Sequence, residues 1–242
     1  DFLDEATAIN ASVKKLKKQG VKTIIVTIHQ GAGQTSYAGA TDPNATLGAP
    51  INNIVAALDG DVDLVISGHS HTFSNAFLPN AAGNPVLVTQ AFSASTAFAD
   101  IDLELDRATG DVISKGASIV TTYSDAAPGD VRHPEVQPIV DQARERVAPL
   151  VNQVVTQVAA DATRQQNAAG ESTLGNLIAD AQRAATGTDF AFMNPGGIRA
   201  DLLFAANPTN PADTDGATLW GELFTIQPFG NSLVTMNLTG QQ

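Results

Sequence analysis

The chain has 242 residues, 43% of them hydrophobic, a formal net charge of −12 and a pI near 4.5. That length can bury one large core or two smaller ones. No apolar run approaches membrane-spanning length, and so acidic a composition argues against non-specific nucleic-acid binding, which needs a basic surface. The absence of cysteine excludes disulfides, thiolate zinc sites and cysteine nucleophiles, while leaving the compartment open because exported proteins need not carry disulfides. The opening Asp1–Glu5 has neither the basic nor the apolar region of a signal peptide.

Residues 4–18 carry apolar or small side chains at Ala6, Ile9, Val13 and Leu16, with lysines in the last turn and Gly20 beyond, which predicts a helix. A β-branched run, residues 21–29, predicts a strand ending in His29 and followed by Gly31-Ala32-Gly33. A glycine-rich, polar loop then reaches Pro50, long enough to suggest function. Residues 51–58 read as a short helix, and residues 62–67 as a strand leading into Gly68-His69-Ser70-His71. A strand–helix–strand unit implies parallel strands, so both histidine-bearing tips should lie at one sheet edge.

Residues 85–90, 99–106 and 112–122 read as further strands, with a turn at 107–110, and residues 125–130 as a boundary. A helix is expected over 134–147, with Glu135 in its first turn and Arg144 and Arg146 in its last. His133, just before Pro134, reads as a solvated capping residue. In the last third, residues 151–158 read as a strand, 172–185 as a helix closed by Gly187, and 189–194 as a short buried strand. Residues 218–224 read as a helix, 231–238 as a final strand, and 207–215 as a surface loop.

Two places carry chemistry. Ligands collect beyond the carboxyl ends of strands in open α/β sheets, and glycine lets the Gly68–His71 backbone bend so that both rings can converge. His29, His69 and His71 together would offer neutral imidazoles suited to zinc, manganese or iron. Asn194-Pro-Gly196-Gly197-Ile-Arg199 follows an expected strand. Its glycines would expose backbone N–H groups and admit a ligand, and Arg199 could fork onto a phosphate or carboxylate. Phe229, in Gln227-Pro-Phe-Gly230, could stack on a base or simply fill the core.

The series His29-x-Gly, Gly68-His-x-His71, Glu171–Asp180, Asn194–Arg199 and Gln227–Gly230, in that order and spacing, resembles the secreted or periplasmic bacterial 5′-nucleotidases. These are two-domain enzymes of the calcineurin-like metallophosphatase superfamily. The resemblance implies a mixed α/β chain in three parts. Residues 1–124 would be the C-terminal part of a metallophosphatase β-sandwich with flanking helices, residues 125–150 a linker with a helix, and residues 151–242 the first part of an α/β nucleotide-binding domain. It further implies two divalent metal ions (zinc, manganese or similar), with His29 and His69 on one and His71 on the other. The substrate would be a nucleotide, met by Asn194, Gly196, Gly197, Arg199 and Phe229, with Arg164 a further phosphate contact.

The family's opening motifs (Asp-x-His, Gly-Asp and Gly-Asn-His) do not occur upstream of His29. The bridging carboxylate, the asparagine ligand and the catalytic histidine are therefore not expected within the chain, which reads as an internal part of a longer enzyme. The resemblance also implies an extracellular, periplasmic or wall-associated location, with neither a membrane span nor a nucleic-acid partner; oligomeric state stays open.

Overall fold

A four-stranded sheet organises the first half of the chain, and its strand order explains which residues meet at its edge. The computed structural model describes residues 3–35, 39–124 and 129–241; Asp125–Pro128 of the expected boundary lie outside the described residues. Tertiary contacts divide the chain into two compact units, Asp1–Arg132 and His133–Gln242.

In the first unit, β1 (Ile25–Thr27), β2 (Leu64–Ile66), β3 (Phe73–Pro79) and β4 (Pro85–Ala91) form a sheet in the order β1-β2-β4-β3. β1, β2 and β4 are parallel, with Ile25 opposite Leu64 and Leu64 opposite Leu87, and β3 runs antiparallel to β4. Successive strand residues face opposite sides, and the burial follows that rule. Val65, Val86 and Val88 pack with Ala6 and Val13 of α1 (Glu5–Lys18) and with Ile51, Ile54 and Val55 of α2 (Ile51–Ala56). Leu64 and Leu87 pack on the other face with Ala117, Ile101 and Leu103, from the antiparallel hairpin of β5 (Ala97–Leu105) and β6 (Val112–Thr121). The result is helices, sheet and hairpin in three layers.

β1 is shorter than the expected 21–29 because only its central residues are laddered to β2, although Ile28 N–H still donates to Ile66 O at 3.0 Å. β3 was not expected from its sequence, since Phe73-Ser-Asn-Ala-Phe-Leu-Pro79 lacks apolar alternation. Its Ser74 and Asn75 are both fully buried and are accommodated by hydrogen bonds. Ser74 Oγ donates to Ala32 O at 2.6 Å, and Asn75 Nδ2 donates to Ala117 O at 2.9 Å and Gly39 O at 3.1 Å. A polar group with such partners costs little to bury.

The second unit has a smaller core. α3 (Val136–Val151) has no buried residue and runs past the expected end at 147, leaving Arg144 and Arg146 inside the helix rather than in its last turn. His133 Nδ1 accepts from Glu135 N–H at 3.3 Å, but the N-cap is Glu135 itself and no side chain caps the helix, so the expected capping role of His133 does not hold. β7 (Val154–Gln157) pairs antiparallel with β8 (Ala217–Leu219), which leads directly into α5 (Trp220–Ile226); Thr218 and Leu219, expected to begin the helix, belong to the strand instead. α4 (Thr173–Thr186) is capped by Ser172 Oγ, which accepts from Gly175 N–H at 3.0 Å, and ends at Gly187 with φ +69°. Leu174, Ile178, Ile198, Leu202 and Ile226 form the core.

Two expected strands do not form. Residues 189–194 and 231–238 have no strand conformation, and Phe190, Phe192 and Val234 are 79%, 86% and 80% exposed. β-propensity makes a strand only where another strand pairs with it, and none does among the described residues.

Leu87 is fully buried at the centre of the sheet. Leu87→Ala is expected to destabilise the first unit by about 2–5 kcal/mol, read as a lower urea midpoint of its unfolding.

Candidate functional site

Two groups of residues were singled out by sequence, one in each unit. In the first, the parallel register of β1 on β2 sends both chains out of the sheet side by side, and Gly68 N–H donates to Gln30 O at 3.2 Å just beyond the strands. The contact is backbone to backbone. A methyl group on Gly31 would overlap the Gly68 carbonyl oxygen and crowd Gln90 Oε1 and Ser70 Oγ.

This brings His29 and His69 together, with ring centres 5.0 Å apart and planes at 73°. An imidazole nitrogen binds zinc at about 2.0–2.1 Å, so an ion lies about 3.2 Å from the ring centre, and two such rings at a tetrahedral angle are about 5.2 Å apart. The observed separation matches that of two ligands of one ion. No group of three His, Asp or Glu side chains that could enclose an ion occurs among the described residues, so His71 does not complete such a set with the pair. Both rings, and that of His71, are solvent-exposed.

The backbone holding these rings is unusual. His69 has φ +73° and His71 φ +55°, in the left-handed region that side chains other than glycine rarely adopt. Ser70 N–H donates to Gly68 O at 2.9 Å, which makes His69 the central residue of a γ-turn with positive φ, a rare and strained form. Such strain costs on the order of 1–3 kcal/mol per residue and collects at functional sites.

In the second unit, Pro195–Gly197 forms one 3₁₀ turn. Gly196 N–H donates to Asn194 Oδ1 at 3.3 Å and Gly197 N–H to Asn194 O at 2.9 Å. Both N–H groups expected to face a ligand are thus engaged inside the turn, whose geometry uses them up. What Gly197 contributes is room, since a side chain there would meet Met193 Cε at 2.8 Å.

Arg199 is tied by its own N–H to Ile226 O at 2.8 Å and by Nη1 to Gly196 O at 3.1 Å. Its guanidinium carbon stands 5.8 Å over the Phe229 ring, within cation–π range, and Phe229 is 57% exposed. A groove of about 740 Å³ follows α4, lined by Leu177, Ile178, Gln182, Phe192, Asn194 and Phe229 among others. Its volume is in the range of small-molecule sites.

Arg164 lies beside this turn and is already engaged. Its Nη1 donates to Arg199 O at 3.1 Å, and its Nε to Asp201 Oδ1 at 3.1 Å. The Asp201 carboxylate also accepts Arg164 N–H at 2.7 Å. That backbone hydrogen bond, more than the guanidinium, holds the Asp201 carboxyl below its ordinary value of 3.8. Asp201 was not foreseen, because a single aspartate two residues after Arg199 carries no signal of its pairing with a segment 37 positions earlier.

Residues 151–242 match the sequence profile of the 5′-nucleotidase C-terminal domain. Over 241 residues the chain is 35% identical to a Bacillus subtilis protein named endonuclease YhcR, covering 100% of this chain and 18% of that protein. Over 256 residues it is 31% identical to the cell wall protein Lmo0130 of Listeria monocytogenes, covering 99% of this chain and 31% of that one. The crystal structure of a 5′-nucleotidase precursor from Thermus thermophilus superposes with a TM-score of 0.61 at 25% identity, over 95% of this chain and 43% of that one.

The fold is thus the mixed α/β arrangement seen in that 5′-nucleotidase precursor. The chain is a relative of the 5′-nucleotidases, residues 151–242 belong to their C-terminal domain family, and it spans less than half the length of each of these relatives.

Two outcomes follow from this geometry. Gly31→Ala is expected to drive the two loops apart and lower the melting temperature of the first unit by several degrees, because the overlap is with backbone rather than a movable side chain. Asp201 stabilises the fold while ionised, so its contribution is present above its ordinary pKa and lost as pH falls through the depressed folded-state value. Asp201→Asn should therefore lower the second unit's melting temperature at pH 6 and flatten its decline below about pH 4, followed by circular dichroism.

Proposed function

We propose that the protein to which these residues belong is a metal-dependent phosphohydrolase that releases phosphate from nucleotides. The single observation carrying this reading is the His29–His69 pair, 5.0 Å apart at adjacent strand ends, in a chain related to 5′-nucleotidases. His29 and His69 would share one divalent ion and His71 would serve a second. When bound, such ions supply an activated water and charge stabilisation for the transferring phosphoryl group. The chain's own residues orient and bind: Arg199 answers the phosphate, Asn194 the base edge, and the exposed face of Phe229 stacks on the base, with Gly196 and Gly197 leaving room beside them. Arg164 would contact phosphate only by sharing its guanidinium with Asp201, so its first effect is to brace Arg199. We assign no catalytic residue within the chain.

In domain terms we propose a metal-binding part at 1–124, a linker at 125–150 and a nucleotide-binding part at 151–242. A location outside the cytoplasm, in the periplasm or on the wall, is supported by the relative named as a cell wall protein. No helix among the described residues is long and apolar enough to cross a membrane.

A second reading has its own support. The exposed Phe229 ring under the Arg199 guanidinium, beside a groove of about 740 Å³, also suits a non-catalytic nucleotide-binding module. Cyclic nucleotides and nucleotide sugars are alternative substrates of the hydrolase reading. The relative named as an endonuclease extends the substrate class towards phosphodiesters, although a net charge of −12 disfavours an extended nucleic-acid surface.

The test is binding and turnover of AMP by the 242-residue chain. Calorimetry should show AMP binding that weakens about tenfold or more in Arg199→Ala and in Phe229→Ala, each tenfold being about 1.4 kcal/mol. Phosphate release with excess manganese should be slow. Robust release abolished by His69→Ala would establish a complete metal centre and exclude the module reading. No AMP binding at all would overturn both.

A further inference from the structure

The turn carrying His69 and His71 has two left-handed residues and only one backbone hydrogen bond of its own, from Ser70 N–H to Gly68 O. Strained backbone persists only where its surroundings over-determine it, and the surroundings here converge on one side chain. Gln90, 3% exposed at the end of β4, reaches into the turn. Its amide nitrogen donates to Ser70 Oγ at 2.8 Å, Thr72 Oγ1 at 2.8 Å and Thr72 O at 2.9 Å. Its Oε1 accepts from Ser70 Oγ at 3.1 Å, and the Ser70 and Thr72 hydroxyls lie 2.8 Å apart. Two amide protons are thus shared among three acceptors in a closed cluster, beneath a turn whose histidines are exposed. The same amide oxygen crowds the space where a Gly31 side chain would be, so Gln90 sits against both loops.

We propose that Gln90, acting through Ser70 and Thr72, is a positioning residue that holds the Gly68–Thr72 turn strained and thereby keeps His69 beside His29 for a divalent cation; this rests on the metal reading given above. Gln90 binds no ion itself. Its amide is spent on the turn, and its place on the central strand makes the turn rigid with the sheet. A ligand held in place by a second layer of hydrogen bonds binds metal more tightly than a free one, typically by 10- to 100-fold.

The experiment uses the 242-residue chain and Zn²⁺ as the probe. Gln90→Met keeps the size of the side chain and removes its bonds to Ser70 and Thr72, leaving only the bond between those two hydroxyls; Ser70→Ala, which leaves the sheet untouched, serves should the first variant misfold. In each, three quantities are read: exchange of the Ser70 amide without metal, the His69 ring signals in proton NMR, and Zn²⁺ affinity by calorimetry. The expected result is at least tenfold faster exchange at Ser70, shifted His69 signals and at least tenfold weaker Zn²⁺ binding, while the Val86 and Val88 amides exchange as in the wild type. Unchanged exchange and His69 signals would overturn the proposal, and so would a loosened turn that binds Zn²⁺ as before. Zn²⁺ binding that is lost in His69→Ala but intact in Gln90→Met would overturn the positioning role alone. A wild-type chain that binds no Zn²⁺ would overturn the metal reading, and the positioning role with it.

Discussion

Pairing Thr27 with Ile66 in parallel brings the ends of β1 and β2 to one level of the sheet, and His29 follows its strand by two residues while His69 follows the other by three. A slip of one residue in that ladder would turn every side chain of β1 to the opposite face, sending Val26 out of the helix-facing core and His29 away from His69. The register is secured from both sides. Val65 is committed to the helices and Leu64 to the hairpin, so β2 has no freedom to shift, and the side-chain-free contact at Gly31 admits the two loops only at this offset. The imidazole pair is in that sense a product of core packing.

The second unit is built differently. Its core of five buried residues fixes α4, α5 and the turn at Pro195–Gly197, and Arg199 is anchored by its N–H to Ile226 O. The segments on either side of those anchors, 189–194 and 231–238, carry large apolar side chains in water. Asn194 and Phe229 therefore stand on loops attached to a modest core, whereas His29 and His69 stand at the ends of sheet strands. Positions close to regular elements hold their geometry more closely than positions on loops, and Asn194 and Phe229 have correspondingly more freedom to adjust.

Much of this was legible in the order of residues. The helix at Glu5–Lys18 has its apolar spacing and closing lysines in sequence, and β5 and β6 announce themselves by alternation and by the turn at 107–110. The His29 and His69 strand ends could be placed together because a strand–helix–strand unit is parallel. β3 could not be read, because Ser74 and Asn75 are buried by virtue of partners at Ala32, Gly39 and Ala117, all more than thirty residues away. Residues 189–194 and 231–238 have strand-like composition, yet a ladder partner is a tertiary fact. The engagement of Gly196 and Gly197 N–H groups by Asn194, and of Arg164 by Asp201, likewise depends on side-chain rotamers and distant backbone that no local pattern encodes.

The segment leaving His29 is long, but it is sewn to the sheet. Gln34 N–H donates to Phe73 O, Asp42 N–H to Asn75 O and Thr41 N–H to Ala117 O, while Asn75 N–H donates to Gln34 Oε1 and Thr41 Oγ1 to Asn75 Oδ1. Gln34, Thr41 and Asp42 are thus fixed points against β3 and β6. The exposed Pro43-Asn44 turn just beyond is open to solvent and free to grow. Insertions that extend or decorate this face of the first unit, by natural drift or by engineering, should be tolerated at that turn more readily than at the anchored Gln34, Thr41 and Asp42.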